Sequence, residues 1–213
     1  MRIRSSLVAA VVLVAAAAPA SARLQAQTQA MPMKSADLRV GLNAILEEHV
    51  YLAAAATGAA LGGRQTEFEG AAAALDQNSV ALSQAIGSVY GSDAEAAFLA
   101  LWRKHIGFVV DYATGLATKD KAKQDRAVND LLGYAADFGA FLNSANPNLP
   151  KDVVAGLVKT HIVTLKDVID AQAAGDPAQT YAKARHAAGH MKKIADPLAD
   201  GIARQFPKRF ALN

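Results

Sequence analysis

Apolar residues recur at three- and four-residue intervals through most of the chain, which is the helical period. Leu38, Leu42, Ile45, His49, Leu52 and Ala56 form one such stripe; Phe98, Leu101, His105, Phe108 and Tyr112 form a second; Val154, Leu157, His161 and Val168 form a third, interrupted by Thr164. Between them lie three further stripes: Leu75, Asn78, Leu82, Ile86 and Val89; Leu131, Tyr134, Phe138 and Leu142; Ala187, His190, Ile194 and Leu198. No long window alternates apolar with polar residues, so strands have no support. The pattern predicts an all-α fold of six long helices, each about 22–28 residues or about 35–40 Å at 1.5 Å rise.

The stripes repeat at a fixed interval. His49, His105 and His161 are spaced 56 residues apart, and each is followed by a β-branched residue, Val50, Ile106 or Ile162. Ile45, Leu101 and Leu157 correspond at the same interval, as do Leu46, Trp102 and Val158, then Leu82, Phe138 and Ile194, then Ile86, Leu142 and Leu198. A fixed period is the signature of repeated supersecondary units. The expected architecture is three tandem αα-hairpins of 56 residues, about 36–91, 92–147 and 148–206, packed in a bundle-like single domain over 35–210. Gly62-Gly63, Ser92-Asp93, Lys119-Asp120, Asn146-Pro147-Asn148 and Gly175-Asp176-Pro177 supply stops, caps and turns. Asp176 is placed to cap the helix that Pro177 begins, whereas Pro197 is expected to bend or end the last helix early.

The amino terminus reads differently. Arg2 and Arg4 precede an apolar run from Leu7 to Ala18, and Pro19-Ala20-Ser21-Ala22 provides small residues for cleavage. Residues 1–22 are expected to be a signal peptide and 23–34 a flexible leader, so the mature chain would be exported, periplasmic or secreted, with no permanent membrane span after cleavage. Removing Arg2 and Arg4, with no acid among residues 1–22, lowers the formal net charge from +3 to +1. That small, scattered excess of bases gives nucleic-acid binding little support. The chain has no cysteine, which removes disulfides, thiolate nucleophiles and thiolate metal sites together.

The chemistry worth pursuing lies inside the apolar stripes. Counting from a hairpin turn near Arg64 sets His49 level with Asn78, and the 56-residue interval then pairs His105 with Tyr134 and His161 with His190. Buried without partners, such groups cost about 1–3 kcal/mol each. If the hairpins close around an axis, the three histidines converge, and three imidazoles with one open position resemble a catalytic zinc or a copper site. If the hairpins stack as a solenoid, the histidines form a row about 10 Å apart that cannot chelate one ion. The structural alternative is a hydrogen-bonding residue that fixes each hairpin's register.

Weaker metal candidates are His186 with His190, spaced i, i+4 on one helix but without the glutamate of a zincin motif, and the thioethers of Met31, Met33 and Met191, which suit cuprous ion. Glu47-Glu48 and Glu67-Glu69 read as solvated helix residues; Trp102, Phe108, Tyr112 and Phe138 read as core. No phosphate loop, nucleophile elbow or recognised Ser/His/Asp arrangement occurs.

The segments AIGSVYG (85–91), LWRKHIGFVVDYA (101–113) and HMKKIADPLADGIARQFP (190–207) resemble a group of poorly characterised bacterial secreted all-helical repeat proteins, some carrying a copper-amine-oxidase-like label in automated naming. The resemblance covers most of 36–210 and implies an exported helical repeat domain. It does not imply amine oxidation, because that cofactor is built from a tyrosine within an Asn-Tyr context and this chain has no Asn-Tyr pair. The expected function is an exported, non-enzymatic binding or interaction module of unknown partner, with a buried histidine layer able to hold copper or zinc. The alternative is a metal-dependent enzyme or a haem- or copper-handling protein using clustered histidines.

Overall fold

The computed structural model of the chain describes residues 33–211. The expected signal segment, the leader up to residue 32 and Met31 lie outside the described residues, as does the Met33 side chain. Helices α1 (Ser35–Leu61), α2 (Gln65–Tyr90), α3 (Ser92–Ala117), α4 (Lys121–Ala145) and α5 (Lys151–Ala173) follow one another. The sixth long helix runs as α6 (Pro177–His190) and α7 (Lys192–Gln205). Short strands β1 (Met33–Lys34) and β2 (Phe210–Ala211) pair in parallel, bringing the two ends of the described chain together. Among the described residues, no helix is long and apolar enough to cross a membrane.

The three hairpin turns share one backbone solution. Gly63, Lys119 and Gly175 all adopt positive φ, at 66°, 57° and 69°. Arg64, Asp120 and Asp176 donate their N–H to the carbonyls of Ala59, Gly115 and Ala171, while the residues before them donate to Ala60, Leu116 and Gln172. This is the Schellman pattern, which satisfies the last carbonyls of a helix by turning one residue left-handed. The turns fall 56 residues apart, and so do the starts of the return helices at Gln65, Lys121 and Pro177. Asp120 and Asp176 cap those helices by accepting from the N–H of Lys123 and Gln179.

The last helix departs from expectation. Pro197 sits inside α7, which continues to Gln205, and the discontinuity lies at Met191 instead. There the backbone tightens, with Met191 N–H bonded to Ala188 O and Ile194 N–H to Met191 O, each spanning three residues. A proline removes one helical hydrogen bond, and packing of its neighbours Ile194, Leu198 and Ile202 into the core keeps the helix running through it.

Packing closes the hairpins into a ring. Helices α1, α3 and α5 touch one another at the centre; α2 bridges α1 and α3, α4 bridges α3 and α5, and α6 with α7 bridge α5 and α1. Each central helix is therefore covered on more than one side, and its buried arc is turned one position from the simple stripe. Leu46, Trp102 and Val158 are buried, whereas Ile45, Leu101 and Leu157 lie at the edge of the core. On the bridging helices the predicted stripes are buried with the sole exception of half-buried Val89.

Polar side chains secure the ring at both ends. At the hairpin-turn end, Gln172 donates to Ala54 O at 2.7 Å and accepts from the Thr57 hydroxyl at 2.8 Å, joining α5 to α1. At the opposite end, buried Asn146 donates to the Tyr90 hydroxyl at 3.1 Å, which donates to Gln205 at 2.8 Å; Gln205 returns a bond to Ala145 O at 2.8 Å. That chain of bonds joins the ends of α2, α4 and α7.

Candidate metal centre

His49, His105 and His161 occupy the inner faces of α1, α3 and α5, so ring closure brings them to one place. They are 1%, 3% and 5% exposed. Ligand-capable nitrogens of the three lie within 4.8 Å of one another, and the Nε2 atoms of His49 and His105 are 3.5 Å apart. The ring centroids of His49 lie 5.4 Å from those of His105 and 5.8 Å from those of His161. Tetrahedral ligands at bonds of about 2.0–2.1 Å sit about 3.3 Å from each other. The cluster is therefore close to the spacing that one ion requires.

Electrostatics keeps these rings neutral. Burial, and secondarily repulsion from the charged forms of His105 and His161, holds His49 well below the ordinary imidazole range. Burial and then His161 push His105 down to about 3; burial and then His190 push His161 to about 4. A neutral imidazole has a free lone pair on one nitrogen, which is the form that binds metal. Among the described residues, His49 Nδ1, His105 Nδ1 and both nitrogens of His161 have no hydrogen-bond partner. The 3.5 Å approach of His49 and His105 is also compatible with a long N–H···N bond whose donor depends on tautomer.

Aromatic rings wall the cluster. Trp102 meets His105 edge-on at 4.5 Å and His49 at 4.9 Å between centroids, and stacks on Phe98 at 5.4 Å. Tyr134 stacks on His105 at 4.8 Å, and burial raises its phenol well above the usual range, so it is a neutral donor. A cavity of about 20 Å³ opens onto His105, His161, Trp102, Tyr134 and Met191, the rest of its wall being apolar. Small-molecule sites run to about 300–1,000 Å³. The space accommodates an ion or a water-sized ligand and is too small for a haem.

The level pairs expected from the sequence are only partly realised. His105 and Tyr134 stack, but Asn78 does not bond His49: it donates to Ile45 O at 3.0 Å and to Glu48 at 2.7 Å. His190 Nε2 donates to Leu157 O at 3.0 Å rather than to His161. Asn78 and His190 thus each bond a backbone carbonyl 33 residues earlier, on the helix across their hairpin, and hold its register. His186 is exposed while His190 is buried, so the i, i+4 pair does not converge. Met191, at the helix break, is buried and reaches the cavity wall.

Trp102 is more than the core residue its sequence setting indicates. Its indole N–H is buried and has no partner among the described residues. The signal that finds it is its position three residues before His105, which places both on one helical face.

No family model matches the chain, and no curated protein or solved structure matches it.

Proposed function

We propose that the protein is a metal-holding module in which His49, His105 and His161 are three neutral nitrogen ligands to one zinc or copper ion. The observation that carries this reading is the convergence of three buried imidazoles, one from each hairpin, to within 4.8 Å. Histidine nitrogen suits both metals, and three such ligands leave a position for a fourth. A scaffold whose histidines only fix hairpin register has less support, since that task falls to Asn78 and His190 while the His161 nitrogens have no partner among the described residues.

Binding rather than catalysis is favoured by enclosure. Among the described residues no carboxylate lines the cavity, and its wall is otherwise apolar. Export of this module to the periplasm or medium is part of the same proposal, resting on the basic, apolar and small-residue order of residues 1–22. The 56-residue interval shared by the turns supports an origin of the three hairpins as tandem copies.

The test is metal content. Purified protein exposed to zinc or copper and freed of excess should retain about one equivalent, and His105→Ala should retain less than a tenth of that. Unchanged metal content in His105→Ala removes the central site.

A further inference from the structure

Resting on the trihistidine reading, we infer that the gap between α3 and α5 beside Lys166 is the passage by which the ion reaches the histidines, and that the Lys166–Asp170 pair is its gate. Two voids adjoin both His105 and His161. Every residue lining the one beside Trp102 is buried, so among the described residues that void has no mouth. The other, about 10 Å³, extends from the histidines toward the hairpin turns and is walled there by Val109 and Lys166, which are half-exposed, and by Tyr112. Of the two, it is the one that joins the cluster to the surface.

The polar network at this mouth belongs to the seam between hairpins. Lys166 donates to Asp170 at 2.6 Å, and the buried Tyr112 hydroxyl donates to the same carboxylate at 2.6 Å. The Lys166 ammonium lies 5.2 Å from the centre of the Tyr112 ring. At the 56-residue interval, Ala54 and Val110 occupy the position of Lys166, and Gly58 and Thr114 that of Asp170, so the other two hairpins fold without this pair. A void of about 10 Å³ holds at most one water, so an ion passes only when a side chain moves. Lys166 is the wall residue able to do so: its side chain is 35% exposed, its stem is flexible, and an ion pair so open to solvent is weakly held. Swinging outward, the ammonium uncovers a carboxylate that Tyr112 still holds at the mouth, where it attracts an incoming dication. One cation takes the place of another, which spares the passage an uncompensated charge.

The probe is cobalt(II), its uptake by the full chain followed by stopped-flow absorption and its release by transfer to excess chelator. A gate lies on the path and not at either end, so it changes both rates by one factor and leaves their ratio alone. Lys166→Met, which keeps the stem and removes the charge, should speed uptake and release about tenfold each while moving the dissociation constant less than threefold. Lys166→Arg, which keeps the pair, should stay within about threefold of wild type. Lys208→Met makes the same charge change at an exposed site and should leave both rates unchanged. Val109→Ala, which widens the same mouth, should act in the direction of Lys166→Met and carries the test if that variant does not fold. Unmoved rates in the folded mouth variants, a change confined to one rate, or equal acceleration in Lys208→Met overturns this inference alone. Failure of the wild type to take up cobalt, zinc or copper overturns the trihistidine reading and this inference with it.

Discussion

Each of the three central histidines trades hydration for closeness to the others. Their folded pKa values are depressed, to about 3 for His105, about 4 for His161 and well below normal for His49. Above about pH 6.5 the groups are neutral in both folded and unfolded chains and stability does not depend on them. Below that, the unfolded chain takes up protons that the folded one refuses, so stability falls with pH down to the folded values. The slope is about 1.4 kcal/mol per pH unit for each histidine. Urea midpoints of metal-free protein should therefore fall between pH 7 and pH 5, with a loss of about 2 kcal/mol per histidine; midpoints that stay level would contradict neutral burial. Bound metal should raise the midpoints and leave this slope in place between pH 7 and pH 5, because the folded rings already carry no proton there and the unfolded chain takes up protons as before. At the far end of the bundle, Asn146→Ala leaves the Tyr90 hydroxyl and the Asn148 amide short of partners. It should lower unfolding free energy by about 1–3 kcal/mol by chemical denaturation.

At the level of elements, the hairpin turns offer a direct comparison. Lys119 holds a left-handed conformation that glycine holds at 63 and 175, and a side chain there costs about 1–2 kcal/mol. Lys119→Gly should stabilise the protein by up to about 1 kcal/mol once glycine's extra freedom in the unfolded chain is subtracted, and Gly175→Ala should destabilise it by about 1 kcal/mol. Matched thermal melts of the two variants, moving in opposite directions, check this. Gly139 shows a different need. A Cβ added there would stand 2.4 Å from Lys151 O, so α4 and the start of α5 approach through the missing side chain. Gly139→Ala should force the two apart and cost about 1–3 kcal/mol, again read from the melt.

For the whole molecule, closure of the ring is what creates the site. The contact of α7 with α1 and the pairing of Met33 with Phe210 bring the last hairpin beside the first. Arg39 contributes ion pairs to Asp196 and Asp200, all roughly half exposed, and exposed pairs of this kind contribute about 0–1 kcal/mol each. Apolar burial across α1 and α7 therefore dominates. Because the described ends adjoin, a circular permutant that links residues 211 and 33 and opens between Lys119 and Asp120 should fold to the same helix content and bind the same metal equivalent. Loss of metal binding in a permutant that still melts cooperatively would show that hairpin order, beyond hairpin contact, sets the site.

Helix number, the hairpin turns and the histidine interval were all readable in the chain because they are local or periodic. Amphipathic spacing, a glycine or lysine at each turn and capping aspartates act over a few residues, and repetition at 56 residues makes each reading reinforce the others. Partnering across space was not readable in the same way. The sequence left open whether His49, His105 and His161 stand in a row or meet, since the same apolar faces serve a stacked and a closed arrangement. It set Asn78 level with His49 without showing that Asn78 turns to the Ile45 carbonyl, and it placed the helix irregularity at Pro197 when the backbone breaks at Met191. Those outcomes depend on which side chains fill space around a shared axis. Packing of α1, α3 and α5 against one another decides them, and no single segment carries that information.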